Sequence, residues 1–149
     1  MKRRTFLTLI AAASAVLATR AQASAPIVDV YKAAECGCCD IWVQHVRDNS
    51  FVVKVNVVAD TAIYRAKAGI PPALGACHTA LVDGYAVEGH VPAADIKRLL
   101  VQRPAGKALV VLGMPQTSPG MDRPHGEAWD VLLLAMDGST KVFNSYPAK

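Results

Sequence analysis

Short β-prone runs alternate along this chain with stretches whose apolar residues recur every three to four positions. Ile27-Val28-Asp29-Val30-Tyr31 is such a run and stops at Lys32. From Asp40 to Asn49 the spacing predicts a helix with Ile41, Trp42, Val43 and Val46 facing inward. Phe51 to Val58 is rich in β-branched residues and predicts a strand. Asp60 or Thr61 can cap a short helix running through Ala68, ended by Gly69 and Pro71-Pro72. Thr79–Val82, Asp83-Gly84 and Tyr85–Val87 form the strongest hairpin signal in the chain. Pro92 then opens a helix whose buried face is Ile96, Leu99 and Leu100, ending before Pro104. Residues 113–127 are dense in glycine and proline and predict an ordered loop. A second hairpin follows, Trp129–Met136 and Lys141–Tyr146 around Asp137-Gly138, with Met136 alternating into the core.

The predicted order is β-α-β, a short helix, then β-β-α, which is the thioredoxin-like α/β arrangement with a C-terminal β-hairpin added. A parallel β-α-β unit takes a right-handed crossover through its helix, and a hairpin then extends the sheet antiparallel. The end of the first strand, the start of the third and the end of the fourth therefore meet at one end of the sheet.

Composition changes the picture little, and charge changes it only once its position is considered. With 52% hydrophobic and 19% charged residues, the chain is an ordinary globular sequence rather than a disordered or collagen-like one. The net charge of +4 suggests a nucleic acid or a membrane surface. Yet Lys2, Arg3, Arg4 and Arg20 supply that whole excess, leaving equal numbers of each sign in the rest. Lys2-Arg3-Arg4, the apolar run from Phe6 to Ala18 and Ala21-Gln22-Ala23 read as an export signal over residues 1–23, with the mature chain starting at Ser24. Arg3-Arg4-Thr5-Phe6-Leu7 also resembles a twin-arginine signal. The apolar run is too short for a transmembrane helix, so no stable membrane insertion is expected after processing. Residues 24–149 carry no repeat or linker and read as a single domain in a compartment that permits disulfides.

The chemistry lies in the cysteines. Cys36, Cys38 and Cys39 fall within four residues between the first strand and its helix, and Cys77-His78 directly precedes the third strand. The topology brings these two groups face to face. Read as C-x-x-C, Cys36 and Cys39 form a redox dithiol at a helix N-terminus, where the dipole lowers a thiol pKa. Read as C-x-C-C, the same residues form a cluster of soft donors suited to Cu(I), zinc or an iron–sulfur cluster, with the His78 imidazole suiting copper or zinc. Two structural disulfides are the third reading. They fit less well, because a bridge between adjacent Cys38 and Cys39 would be strained.

Cys36-Gly37-Cys38-Cys39 followed by Trp42, Cys77-His78-Thr79, Gly84-Tyr85, Glu88-Gly89-His90-Val91-Pro92, Gly113-Met114-Pro115 and Ser118-Pro119-Gly120-Met121 together resemble the CopG-type copper-resistance proteins. The resemblance implies a thioredoxin-like fold, a periplasmic location and copper bound through the C-x-C-C and Cys-His motifs; the soft thiolates point to Cu(I), and because thiolates bridge ions, to room for more than one. Carried over by position, the implied metal ligands are Cys36, Cys38, Cys39, Cys77 and His78. Its implied partners are copper ions and other periplasmic copper-handling proteins. The chain departs from the family's usual form at Leu112 and at Gln116-Thr117. On this reading the protein binds metal without being an enzyme. The alternative is a periplasmic thiol–disulfide oxidoreductase with Cys36 as nucleophile and Cys39 as resolving thiol.

Other candidates are weaker. His90 follows the fourth strand and should lie near the cysteines, either fixing a turn or supporting a metal. Met114 and Met121 offer thioether sulfur, although packing is the commoner role of a loop methionine. His45 lies about 9 Å along the helix from Cys39, too far to share a metal. His125 and Glu35 read as solvated, as do Lys97, Arg98 and Arg103 on one flank of the third helix.

Overall fold

A computed structural model describes residues 25–149, so the export-signal reading lies outside the described residues. The chain runs β1 (Ile27–Lys32), α1 (Gly37–Asp48), β2 (Val52–Val57), α2 (Ala62–Lys67), β3 (His78–Val82) and β4 (Tyr85–Glu88). It continues through α3 (Ala93–Gln102), β5 (Ala108–Val110), β6 (Trp129–Leu134) and β7 (Thr140–Tyr146). Among the described residues, seven strands form one sheet in the order β2-β1-β3-β4-β5-β6-β7. β1 pairs parallel with β2 and antiparallel with β3, as the β-α-β and hairpin expectation required. The β3–β4 turn places Asp83 at φ 46° and Gly84 at φ 87°, the two left-handed residues of a tight hairpin.

Period-two alternation divides the sheet between two cores. Val28, Val30, Ala80, Val82, Val87, Leu109, Val131 and Leu133 point to one face. There they meet Trp42, Val43 and Val46 of α1 and Ile96 and Leu99 of α3. Ala86, Ala108, Val110 and Leu134 point the other way and are covered by Ile70, Ala68 and Leu74 from the segment after α2. The helices therefore hold one face firmly, and a short irregular segment covers the other.

Four expectations need correction. β5 was not anticipated: its three residues are all buried, so it presents a continuous apolar run with no alternation to mark it. It pairs parallel with β4 and antiparallel with β6, and so ties the C-terminal hairpin into the main sheet. Ile41 is 52% exposed, because α1 begins at Gly37 and its inward stripe is Cys39, Trp42, Val43 and Val46. Met136 is 66% exposed, since β6 ends at Leu134 and Met136 lies in the turn beyond it. Arg98 is not on a solvated flank: it donates to the Phe143 carbonyl and lies 4.0 Å over the Phe143 ring. Beside it the buried Asp95 accepts hydrogen bonds from Tyr146 Oη at 2.6 Å and Asn144 Nδ2 at 3.0 Å, docking β7 onto α3. Among the described residues no helix is long and apolar enough to cross a membrane.

Candidate metal centre

Strand pairing alone brings the two sulfur motifs together. Lys32 at the end of β1 is the register partner of His78 at the start of β3, so the turn carrying Cys36 sits opposite Cys77. Cys36 occupies the N-cap of α1, and Cys38 and Cys39 fall in its first turn. One ligand atom from each of Cys36, Cys38, Cys39 and Cys77 lies within 4.8 Å of the others. Cys36 and Cys39 are joined by a disulfide, while Cys38 and Cys77 are free thiols. Cys38 Sγ lies 3.7 Å from Cys36 Sγ, and the Cys39 sulfur lies 3.8 Å from the Cys77 carbonyl oxygen. Burial, and then the neighbouring Cys38, push the Cys77 thiol up to about 12. It is therefore protonated in the metal-free protein, and a metal must displace that proton.

Two imidazoles complete the group. Cys77, His78 and His90 also offer ligand atoms within 4.8 Å of one another. His90 Nε2 lies 3.4 Å from Cys77 Sγ, and His78 Nδ1 lies 3.7 Å from it. The His90 tautomer follows from its other nitrogen, 3.3 Å from Ser118 Oγ. Ser118 donates its own hydroxyl proton to the Pro115 carbonyl at 2.7 Å. Its oxygen can then only accept from His90 Nδ1–H, which leaves the Nε2 lone pair facing the cysteine sulfur. His78 Nε2 is buried with no hydrogen-bond partner. Such an orphan costs about 1–3 kcal/mol, while the nitrogen beside the Cys77 sulfur is the other one, Nδ1.

Both histidines are neutral at pH 7. Burial, with His90 nearby, pushes His78 down to about 3, and burial lowers His90 as well. His45 is also lowered by burial, and its Nε2 accepts the Ala93 backbone N–H at 3.1 Å, capping α3 instead of reaching the sulfurs. A histidine whose folded pKa lies below its unfolded value of about 6.5 adds stability above that value and withdraws it as pH falls. Reduced, metal-free protein should therefore become steadily less stable to urea from pH 6.5 to 5, before carboxylates protonate. The total loss through the His78 value should be on the order of 5 kcal/mol. Unfolding free energies that stay flat between pH 7 and 5 would contradict this assignment.

Trp42 forms the floor of the site. Its ring packs on His78 at 4.2 Å between centroids, and its Nε1 donates to the Val91 carbonyl at 2.8 Å. The loop of residues 113–127 closes one side. At Gly120, with φ 98°, an added Cβ would lie 2.7 Å from the Cys38 carbonyl oxygen and 3.4 Å from His90 Cε1. Only glycine lets this loop press against the cysteine turn. Met114 is exposed and Met121 half-buried; His125 and Glu35 are solvent-exposed, as expected. Two open surface concavities, of about 470 and 560 Å³, are lined by neither cysteine nor histidine.

The five sequence-nominated residues Cys36, Cys38, Cys39, Cys77 and His78 thus meet at one place, and His90 and Ser118 join them. Sequence reasoning left His90 open, because a histidine after a strand looks alike whether it fixes a turn or faces a sulfur. Ser118 carried no signal of its own beyond its place in the Ser118-Pro119-Gly120-Met121 segment.

Fold and site together define an α/β domain with a four-cysteine group at one end of its sheet, sharing Cys77 with a second group made with His78 and His90. Residues 74–121 match the family described as a protein of unknown function, DUF411. No curated protein matches the chain. Among solved structures, copper resistance protein CopG in form 2 is 40% identical over 83% of this chain and 99% of that one, with a TM-score of 0.78. The form 1 structure is 41% identical over 81% and 97%, with a TM-score of 0.77. The chain belongs to the CopG copper-resistance family.

Proposed function

We propose that this chain is an exported copper-binding protein that holds Cu(I) for copper resistance, handling or transfer. In the reduced protein Cys36, Cys38, Cys39 and Cys77 are the thiolate ligands and His78 a nitrogen ligand. The observation that carries the reading is the convergence of four sulfur atoms, with two neutral imidazoles grouped on the Cys77 sulfur. Thiolates are soft donors that favour Cu(I), and a thiolate can bridge ions, so the cluster has capacity for more than one. The name of the related solved structures directs the choice to copper rather than zinc. The basic, apolar leader supports export to the periplasm, where other copper-handling proteins would supply or receive the ion.

Anaerobic titration of the reduced protein with Cu(I) against a competing chelator tests this. Cys38→Ser and Cys77→Ser should each lower the stoichiometry or the affinity by at least about tenfold. Unchanged stoichiometry and affinity in both variants would refute the assignment.

The Cys36–Cys39 bond at the start of α1 favours a second reading, a thiol–disulfide oxidoreductase. Insulin reduction separates the two. Metal-independent turnover that is insensitive to Cys38→Ser supports the oxidoreductase; no turnover supports the copper site.

A further inference from the structure

Behind Cys77 lies a charged pair that the copper site does not itself use. Glu88, at the end of β4, is fully buried. Its Oε1 accepts from Arg65 Nε at 2.7 Å and from the Ala76 backbone N–H at 2.7 Å. Its Oε2 accepts from Thr79 Oγ1 at 2.6 Å. Arg65, on α2, donates a second hydrogen bond from its Nη2 to the Ala76 carbonyl at 2.7 Å. Both peptide groups flanking Ala76 are thereby gripped, one by each member of the pair. The second of those peptides is the one that joins Ala76 to Cys77.

Two glycines record how closely the parts fit. A Cβ at Gly75 would lie 2.7 Å from the Arg65 guanidinium carbon. One at Gly89, which has φ 74°, would lie 2.8 Å from both the Ala76 Cβ and the Val111 carbonyl oxygen. The segment that presents Cys77 is thus held between α2, β4 and the end of β5. A buried ion pair is a poor way to gain stability alone, because desolvation offsets most of its attraction. It is an effective way to fix direction, since the planar guanidinium and the carboxylate impose angles that apolar packing does not.

We propose that Arg65 and Glu88 are positioning residues: a buried clamp on Ala76 that sets the Cys77 sulfur against the Cys36–Cys39 turn before any metal arrives. The proposal rests on the copper reading above. It assigns α2 a purpose that its burial does not, for none of its residues is buried and it adds little to the core. The clamp lets Cys77 meet the other sulfurs without metal having to order its segment first, which lowers the entropy lost on binding.

The test is Cu(I) competition titration of the reduced full chain at a temperature where each variant keeps its native near-UV circular dichroism. In a fully folded variant global stability no longer enters the apparent affinity, so a change reports local geometry. Glu88→Ala should weaken binding about 10- to 100-fold, the usual effect of removing support behind a ligand. Glu88→Gln keeps an acceptor for the Ala76 N–H and should restore most of the affinity. Arg65→Lys keeps the charge but cannot span Glu88 and the Ala76 carbonyl together, so it should also weaken binding. Should Glu88→Ala fail to fold, Arg65→Lys decides the matter. Wild-type affinity in folded Arg65→Lys or Glu88→Ala, with binding lost in Cys77→Ser, overturns the clamp and leaves the copper site standing. An equal loss in Glu88→Gln and Glu88→Ala overturns it too, since charge rather than alignment would then matter. Wild-type binding in Cys77→Ser overturns the clamp, and wild-type binding in Cys38→Ser as well removes the copper reading with it.

Discussion

Oxidised protein, with the Cys36–Cys39 bond intact, should hold Cu(I) about ten-thousandfold more weakly than reduced protein. A sulfur committed to a disulfide is no longer a thiolate, so two of the four soft donors are withdrawn. What remains is Cys38, Cys77 and the imidazoles of His78 and His90. Four-ligand structural sites supply about 10–16 kcal/mol of binding free energy, or roughly 3 kcal/mol per ligand. Losing two of them removes about 6 kcal/mol, which corresponds to a factor on the order of ten thousand. The comparison is made by chelator competition on matched samples, one reduced and kept anaerobic, the other oxidised and freed of excess oxidant. Equal affinities would mean that Cys36 and Cys39 are not ligands, and would leave the oxidoreductase reading as the better account of the C-x-x-C pair.

Trp42→Ala should be the most damaging single change outside the cysteines. The ring is fully buried, belongs to the main core and packs on His78. Its removal opens a large cavity, worth about 3–5 kcal/mol for an aromatic residue. The Val91 carbonyl also loses its donor inside the protein, which adds about 1 kcal/mol or more. Against a total stability of about 5–15 kcal/mol, this should lower the melting temperature by roughly 10–20 °C. Trp42→Phe keeps most of the ring and should lose only the hydrogen bond and a smaller volume, a drop of a few degrees. Thermal unfolding of the reduced, metal-free proteins separates the two cases. Similar melting points for Trp42→Ala and wild type would show that Trp42 does not support the site as the packing indicates.

Much of this architecture was legible in the residues because the signals were local. Asp83-Gly84 between two β-branched runs specifies a hairpin through left-handed turn geometry, wherever the hairpin is later placed. The parallel β1–β2 pair follows from the need for a crossover helix, and the antiparallel β1–β3 register puts Cys36 opposite Cys77. β5 escaped notice because a strand buried on both faces loses the alternation that reveals strands. Arg98 was misplaced because nothing in helix periodicity announces that a ring from β7, 45 residues on, will lie beneath its guanidinium.

The sequence by itself nominated the candidate donors. Residue chemistry and spacing point to Cys36, Cys38, Cys39, Cys77 and His78 as a group of candidate ligands without coordinates. Only the tertiary structure decided how those donors are held and in what state. That His90 exposes Nε2 to Cys77 depends on the direction of a Ser118 hydrogen bond, across 28 residues. That Cys77 is aimed by Arg65 and Glu88 depends on a contact between α2 and β4. Donor identity is written residue by residue, whereas orientation, protonation and burial are collective properties of segments distant in the chain that come together only on folding.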